Sequence, residues 1–302
     1  MLHDLTQTPV ESLFQRIALI GKTDSERIEL TLPKLYGHLQ ARGLEVLVER
    51  DSARFIDGSP TTFPLAELGR HCDLAIVIGG DGTLLTAARF LACHDIPLIG
   101  VNLGRLGFLV DISPQAALTT LDEILEGRFR EEKRQMLEAK ILRDGNVIAE
   151  QTAVNEVVIH SWNSTSMIEI VTYIDGIFLN CQRSDGLIVS TPTGSTAYAL
   201  SGGGPILYPT LKAIELVPIN PHSLTNRPIV IADDSVVEMV FRHSKEFRAR
   251  LACDNVSFPD IEVGDRIRIS KSAHPFRILH PYNHDFFEIL REKLNWSSGY
   301  SF

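Results

Sequence analysis

A chain of 302 residues can form two ordinary domains, and 44% hydrophobic residues supply a packed core, which excludes global disorder. The formal charge of −9, from 29 basic and 38 acidic residues, repels phosphate backbones and excludes a nonspecific nucleic-acid binder, while allowing a local basic pocket for a small phosphorylated ligand. There is no basic stretch followed by an apolar run at the start, no apolar stretch near the ~20 residues of a membrane span, and no C-x-x-C pair among Cys72, Cys93, Cys181 and Cys253; the expectation is a cytoplasmic protein with buried free thiols, no secretory signal and no membrane helix.

The first part of the chain alternates strand and helix signals. Residues 16–21 read as a short buried strand. Residues 25–42 read as a helix ending at Gly43, with Ile28, Leu32, Leu35 and Leu39 at helical spacing and Pro33 as the point where it would kink. Strands follow at 44–48 and at 73–78, the latter (DLAIVI) nearly all apolar, as suits a strand covered on both faces. A helix over 83–93, a strand over 96–101 and a helix over 114–126, with Ser113 as N-cap and Gly127 at its end, complete the pattern. Such alternation implies a parallel sheet with helices on its faces.

Beyond about residue 130 the pattern changes. Segments 136–142, 154–160, 168–174, 177–182, 187–190, 236–241, 248–253 and 266–270 read as strands, with Asp144-Gly145 and Asp175-Gly176 as tight hairpin turns. Helical periodicity returns only over 286–294. The expected fold is an α/β N-terminal domain with a parallel sheet (1–130) and an all-β, antiparallel, two-layer domain (131–284), with the helix in 285–302 packing back on the first domain.

The strongest local signal is Gly79-Gly80-Asp81-Gly82-Thr83, which follows the apolar strand and opens a helix. A turn at the carboxyl end of a parallel strand presents backbone N–H groups and a helix dipole to phosphate. Glycines permit positive φ and let a phosphate approach without meeting a Cβ. Thr83 adds a hydroxyl or caps the helix. Gly79, Gly80, Gly82 and Thr83 are therefore the candidate phosphate and ATP loop. A carboxylate beside such a cradle is unfavourable unless it has chemistry to perform. Asp81 either takes a proton from an attacking hydroxyl or holds Mg²⁺. Gly21-Lys22-Thr23 ends like a P-loop, but Arg16 stands where that pattern requires glycine. In the loop Gly104-Arg105-Leu106-Gly107 the glycines allow close approach and Arg105 is a phosphate-contact candidate. His280 and His284 read as ordinary core or surface histidines, and no metal cage is apparent.

Two further stretches, TAVNEVVIH with Asn155-Glu156 and DGLIVSTPTGSTAYALSGGGP over 185–205, together with the glycine-aspartate loop, resemble the signatures of NAD kinases of the bacterial type, in the right order. The resemblance runs from about Ile17 to Trp296. It implies a homo-oligomer, a tetramer or a dimer, that transfers the γ-phosphate of ATP to the 2′-hydroxyl of the adenosine ribose of NAD, with Mg²⁺ or another divalent cation accompanying ATP. It implies an NAD site between the domains, with Asp81 as proton acceptor, Gly82 beside it, and Asn155, Glu156, Ser166, Arg183, Asp185 and the run Thr196, Ala197, Tyr198, Ala199, Leu200, Ser201 as NAD-binding residues. Val256 departs from the family, where a glutamine often follows the equivalent Asp-Gly turn. The hydroxyls of Thr191, Thr193, Ser195 and Thr196 make a polar loop suited to a ligand's phosphates and hydroxyls. Two rival functions share the glycine-aspartate loop: a lipid kinase of the diacylglycerol or sphingosine kinase type, and a non-catalytic nucleotide sensor. The acidic charge and the hydroxyl-rich loop favour a dinucleotide, and an intact Asp81 favours catalysis.

Overall fold

The computed structural model describes residues 12–162, 167–242 and 249–296. The chain forms two compact units, one made of the segment up to Glu132 together with that from Arg277, the other of Lys133–Phe276. The return to the first unit thus begins at Arg277, eight residues ahead of residue 285, where the sequence pattern put it.

Among the described residues, the first unit is built on a seven-stranded sheet in the order Thr61–Phe63, Glu45–Glu49, Arg16–Gly21, Leu74–Gly79, Pro97–Asn102, Phe276–Pro281, Phe129–Arg134. Every pairing from the Thr61–Phe63 edge as far as Phe276–Pro281 is parallel. Leu74–Gly79 is buried at every position, which explains its unbroken apolar run. Helix Ile28–Ala41 lays Ile28, Leu32, Leu35 and Leu39 on this core, and Pro33 does not break it. Four buried aliphatic side chains at about 1.5–3 kcal/mol each outweigh the ~3 kcal/mol that an interior proline costs. The helix closes with a bond from the Leu44 N–H to the Leu39 carbonyl across Gly43 at φ +77°.

The second unit is antiparallel throughout its sheets. Among the described residues it has two six-stranded sheets: Ile177–Ser184, Ile168–Ile174, Val237–Phe241, Arg266–Lys271, Leu137–Arg143, Asn146–Ala153 in one, and Ile229–Ala232, Ala213–Ile219, Gly186–Ser190, Glu156–Ser161, Ala249–Cys253, Val256–Ser257 in the other. Alternate residues such as Leu137, Ala139 and Ile141 from the first, and Val157, Ile159 and Leu251 from the second, fill one core. Asp144-Gly145 and Asp175-Gly176 have positive φ at both residues, the type I′ hairpin geometry.

Several strands had no sequence signal. Phe129–Arg134 is mostly charged, and Ala213–Ile219 carries Pro218 and Glu215. Pro218 is tolerated because Ile229–Ala232 pairs only as far as Leu216, so beyond that point the proline's missing N–H faces no partner strand. The four cysteines are free, but Cys93 and Cys181 are exposed, not buried. No helix of the described residues is long and apolar enough to cross a membrane.

Glu215 is fully buried, and neither carboxyl oxygen has a hydrogen-bond partner among the described residues. Burial pushes its pKa from 4.5 up to about 7. The folded state therefore keeps a proton that the unfolded chain has lost, and the group's contribution is complete below the unfolded pKa and lost as pH rises through about 7. Glu215→Gln should flatten this dependence: between pH 5 and 8 the wild-type melting temperature should drop several degrees more than the variant's, since each pKa unit is about 1.4 kcal/mol and each kcal/mol is roughly 2–4 °C. Parallel melting curves across that range would show that Glu215 ionises normally.

Candidate active site

In the first sheet the chain runs outward from Arg16–Gly21 to one edge, then returns to lay down Leu74–Gly79 and Pro97–Asn102 on the other side. Such a reversal opens a crevice at the carboxyl ends of the two central strands. Gly21 and Gly79 end those strands, and a cavity of about 480 Å³ lies there, lined among others by Lys22, Thr23, Gly80, Gly82, Thr83 and Thr86. Lys22 and Thr23, although no part of a P-loop, thus share a cavity wall with the glycine-aspartate loop.

None of Gly79, Gly80 and Gly82 has positive φ. Their role is space. A Cβ on Gly79 would stand 2.6 Å from Thr83 Oγ1, whereas Gly80 and Gly82 face open room where a ligand can approach. Gly80 is the N-cap of helix Asp81–Leu91, so Asp81 is the first residue of the helix, two positions ahead of the start expected at Thr83. Thr83 makes no capping bond and is one of the residues lining the cavity.

The Asp81 carboxylate is captured by backbone. Oδ2 accepts from Phe108 N–H at 2.9 Å, and Oδ1 from Leu109 and Val110 N–H at 3.1 Å each. Two acceptor positions per oxygen leave Oδ2 with one lone pair open. The close approach depends on Gly107, where a Cβ would lie 2.0 Å from Asp81 Oδ1. That is the function of the second glycine in Gly104-Arg105-Leu106-Gly107; Arg105 itself is exposed.

Asn155-Glu156 sits at the start of strand Glu156–Ser161 and is held the same way. Asp254 accepts from the N–H groups of Val154 (3.0 Å), Asn155 (2.8 Å) and Glu156 (3.3 Å). Glu156 is buried, its Oε2 has no partner among the described residues, and burial, with the nearby Asp254 charge, raises its pKa to about 8. It is therefore a neutral acid near pH 7, with a proton to donate.

The hydroxyl loop is more self-contained than its sequence suggests. Thr191 Oγ1 donates to Val154 O (2.7 Å) and accepts from Gly194 N–H, and Ser195 Oγ donates to Pro192 O (2.7 Å) and accepts from Leu207 N–H. Those hydroxyls shape the loop and are spent. Thr196 is half-buried and bonded back to Thr193 O, Ala197 and Leu200 are half-buried, and Tyr198 and Ser201 are exposed. Ala199 is packed into a small core with Val158, Ile188 and Val217. Asp185 accepts from Asn220 Nδ2 at 2.9 Å, and the Arg183 side chain is exposed on its strand. Ser166 lies outside the described residues.

Among the described residues one set of potential metal ligands is close-packed: Asp111, His280 and His284, with ligand atoms within 4.8 Å of one another. The two imidazoles lie face to face, centroids 3.7 Å apart and planes 19° apart. A metal must lie in the plane of each imidazole that binds it, at about 2.0–2.1 Å. Stacked in this way, and with both Nδ1 atoms on Asp111 Oδ2, the two rings do not aim lone pairs at one common point at that distance.

Two family models match the chain: the ATP-NAD kinase N-terminal domain over residues 17–129 and the ATP-NAD kinase C-terminal domain over residues 154–281. The chain belongs to the NAD kinase family. An NAD kinase of Methylococcus capsulatus is 61% identical over 287 residues, covering 95% of this chain and 99% of that protein. One of Colwellia psychrerythraea is 45% identical, covering 94% and 98%. Among solved structures, yeast NADH kinase complexed with NADH superposes with a TM-score of 0.86 at 26% identity, covering 98% of this chain and 90% of that one. An NAD kinase from Archaeoglobus fulgidus in complex with ATP gives 0.74 at 26% identity, covering 93% and 99%. With the NAD kinase family comes the reaction class, ATP-dependent phosphorylation of NAD, and the two-domain fold.

Sequence reading missed Asp254 and the Phe108–Val110 amides as supports of the motifs, because each lies far along the chain from the residue it holds. Gly107→Ala tests the first support. The nearest atoms an added methyl would meet are those of the Asp81 carboxylate, so the substitution should push Asp81 off its three amides, lowering the melting temperature somewhat and kcat for NADP formation ~10²-fold, the scale of a 1 Å misplacement. A variant with wild-type kcat would show that Asp81 does not need this position.

Proposed function

We infer that this chain is an ATP-dependent NAD kinase that moves the γ-phosphoryl group of ATP onto the 2′-hydroxyl of the adenosine ribose of NAD, and that Asp81 accepts the proton of that hydroxyl. The observation that carries the residue assignment is the state of the Asp81 carboxylate: fixed by three backbone N–H groups, one Oδ2 lone pair open, on the first residue of a helix whose flanking Gly80 and Gly82 line a cavity with Lys22. A ribose hydroxyl is a weak nucleophile near neutral pH, so a positioned acceptor helps; the larger share comes from alignment and charge neutralisation of the phosphoryl group.

The cavity suits the phosphates of ATP. Lys22, the first-turn amides and the threonine hydroxyls of the loop supply positive charge and donors. When bound with ATP, Mg²⁺ would supply positive charge for the phosphate oxygens. Asp24 and Asp51 on the same cavity wall are the hard oxygen donors such an ion takes. For NAD, Asn155, Glu156, Ser166, Arg183, Asp185 and the Thr196–Ser201 stretch form the binding set. A protonated Glu156 donates where an ionised one only accepts, and the exposed Tyr198 ring is available to stack on a base. Ala199 contributes through its backbone, since its side chain is core.

On the same reading the enzyme is a cytoplasmic homo-oligomer. Support for self-association comes from Ile177, Phe178 and Leu179, three consecutive exposed apolar residues on a sheet-edge strand, at 74%, 58% and 39% exposure.

Asp81→Asn keeps the shape and removes the acceptor. It should lower kcat by ~10²–10⁴-fold while the KM for NAD stays within a few-fold. Coupled measurement of NADP formation decides the point, and an unchanged kcat removes Asp81 from the acceptor role.

A further inference from the structure

The amides that grip Asp81 belong to a loop, and amides on a loop fix a carboxylate only as well as the loop is itself fixed. On one side that loop is Leu103–Gly107, without regular structure, with Gly104 at φ +135°. On the other side stands Asp111, directly after Val110. The segment is pinned here: Asn102 N–H bonds Ile112 O at 2.8 Å, and Ile112 N–H bonds Gly100 O at 3.3 Å. The Asp111 side chain is only 8% exposed, and its Oδ2 accepts from two imidazoles at once, His280 Nδ1 at 2.9 Å and His284 Nδ1 at 2.6 Å.

Both histidines come from the part of the chain that returns to this unit. His280 lies on strand Phe276–Pro281, and His284 follows in a tight turn whose N–H bonds Pro281 O at 3.0 Å, just before helix Phe286–Leu294. Their side chains are 0% and 1% exposed and stacked on each other, so neither ring can turn away without breaking the stack. Charged groups near them are Glu132, 4.0 Å from His280 Nε2, and the Arg130 guanidinium, which donates to His284 O. A second thread runs the same way: the Lys293 ammonium of that helix lies 5.7 Å from the Phe108 ring centroid, on the residue whose N–H meets Asp81 Oδ2. Burial alone would favour a neutral Asp111, but the two imidazole donors outweigh it and hold the group down to about 2, an anion at every working pH.

We propose that His280 and His284 are positioning residues for phosphoryl transfer: by holding Asp111 they fix the Phe108–Val110 amides, and through those amides they fix the Asp81 carboxylate against the hydroxyl it deprotonates. This rests on Asp81 being the proton acceptor. It makes the closing segment of the chain a working part of the catalytic apparatus.

The test uses the two amide replacements of His284 in the full-length protein. His284→Asn places its amide N–H where Nδ1–H was, so it keeps the bond to Asp111. His284→Gln fills similar volume but carries its amide at the Nε2 position and drops that bond. Both are made alone and in the Asp81→Asn background, with kcat and the KM for NAD and ATP measured for each. The expected result is a kcat at least ~10-fold lower for His284→Gln with both KM values within about threefold, and most of kcat retained by His284→Asn. In the Asp81→Asn background the two replacements should differ by less than about twofold, because the group being positioned is gone. Equal kcat for the two replacements overturns the proposal, and so does a His284→Gln loss of the same size in both backgrounds, which marks a general structural role. Asp81→Asn alone decides the acceptor reading, so the two failures are separate results.

Discussion

The first unit is organised around one carboxylate held by three consecutive backbone amides. Asp81 is on the first residue of a helix, where the dipole favours an anion, but a side chain there is free to rotate. The N–H groups of Phe108, Leu109 and Val110 remove that freedom and leave one acceptor position outward. Much else follows from this. Gly107 must lack a Cβ, the segment after it must be anchored, and Asp111 must stay ionised in a nearly dry site. The anchoring histidines come from a strand and a turn some 170 residues further on (169 to His280, 173 to His284).

The second unit uses the same device for another purpose. Asp254, on a left-handed turn at φ +51°, takes the amides of Val154, Asn155 and Glu156 and so sets the angle at which the Asn-Glu pair enters its strand. The consequence is electrostatic as well as geometric. An anion next to Glu156 adds to the burial penalty on its ionised form and keeps it protonated near neutral pH. A departure from the family's turn at Val256 therefore leaves intact the residue that matters to the strand, which is Asp254.

Pre-organisation also explains the hydroxyl-rich loop. Thr191 and Ser195 tie the loop to neighbouring backbone, and Gly194 packs where a Cβ would lie 2.3 Å from Asn155 O. A loop so tied to its own backbone would cost little to order on binding, as the proposed reading requires. On the proposed reading, the groups available to NAD are fewer than the composition suggests: backbone of the Thr196–Ser201 stretch, the exposed Tyr198 ring and the Ser201 hydroxyl.

What the sequence determined by itself were features with a local cause. The apolar run at 74–78, the spacing of Ile28, Leu32, Leu35 and Leu39, the Asp-Gly hairpins and the GGDGT turn after a strand are set by neighbours within about ten residues; all are present, the last with its helix starting two residues early, at Asp81. The tertiary structure alone decided the rest, for the opposite reason. Strand Phe129–Arg134 has a charged sequence and exists because a sheet edge was there to extend; Pro218 fits because its strand's second neighbour stops short; Glu215 is buried by position, against its own preference. Two histidines four apart around a proline carry no sign of the carboxylate they share, since that carboxylate is supplied from 169 and 173 residues earlier in the chain. Hydrogen bonds between distant segments leave no period in a sequence, so the supports of a motif are visible only once the chain has folded.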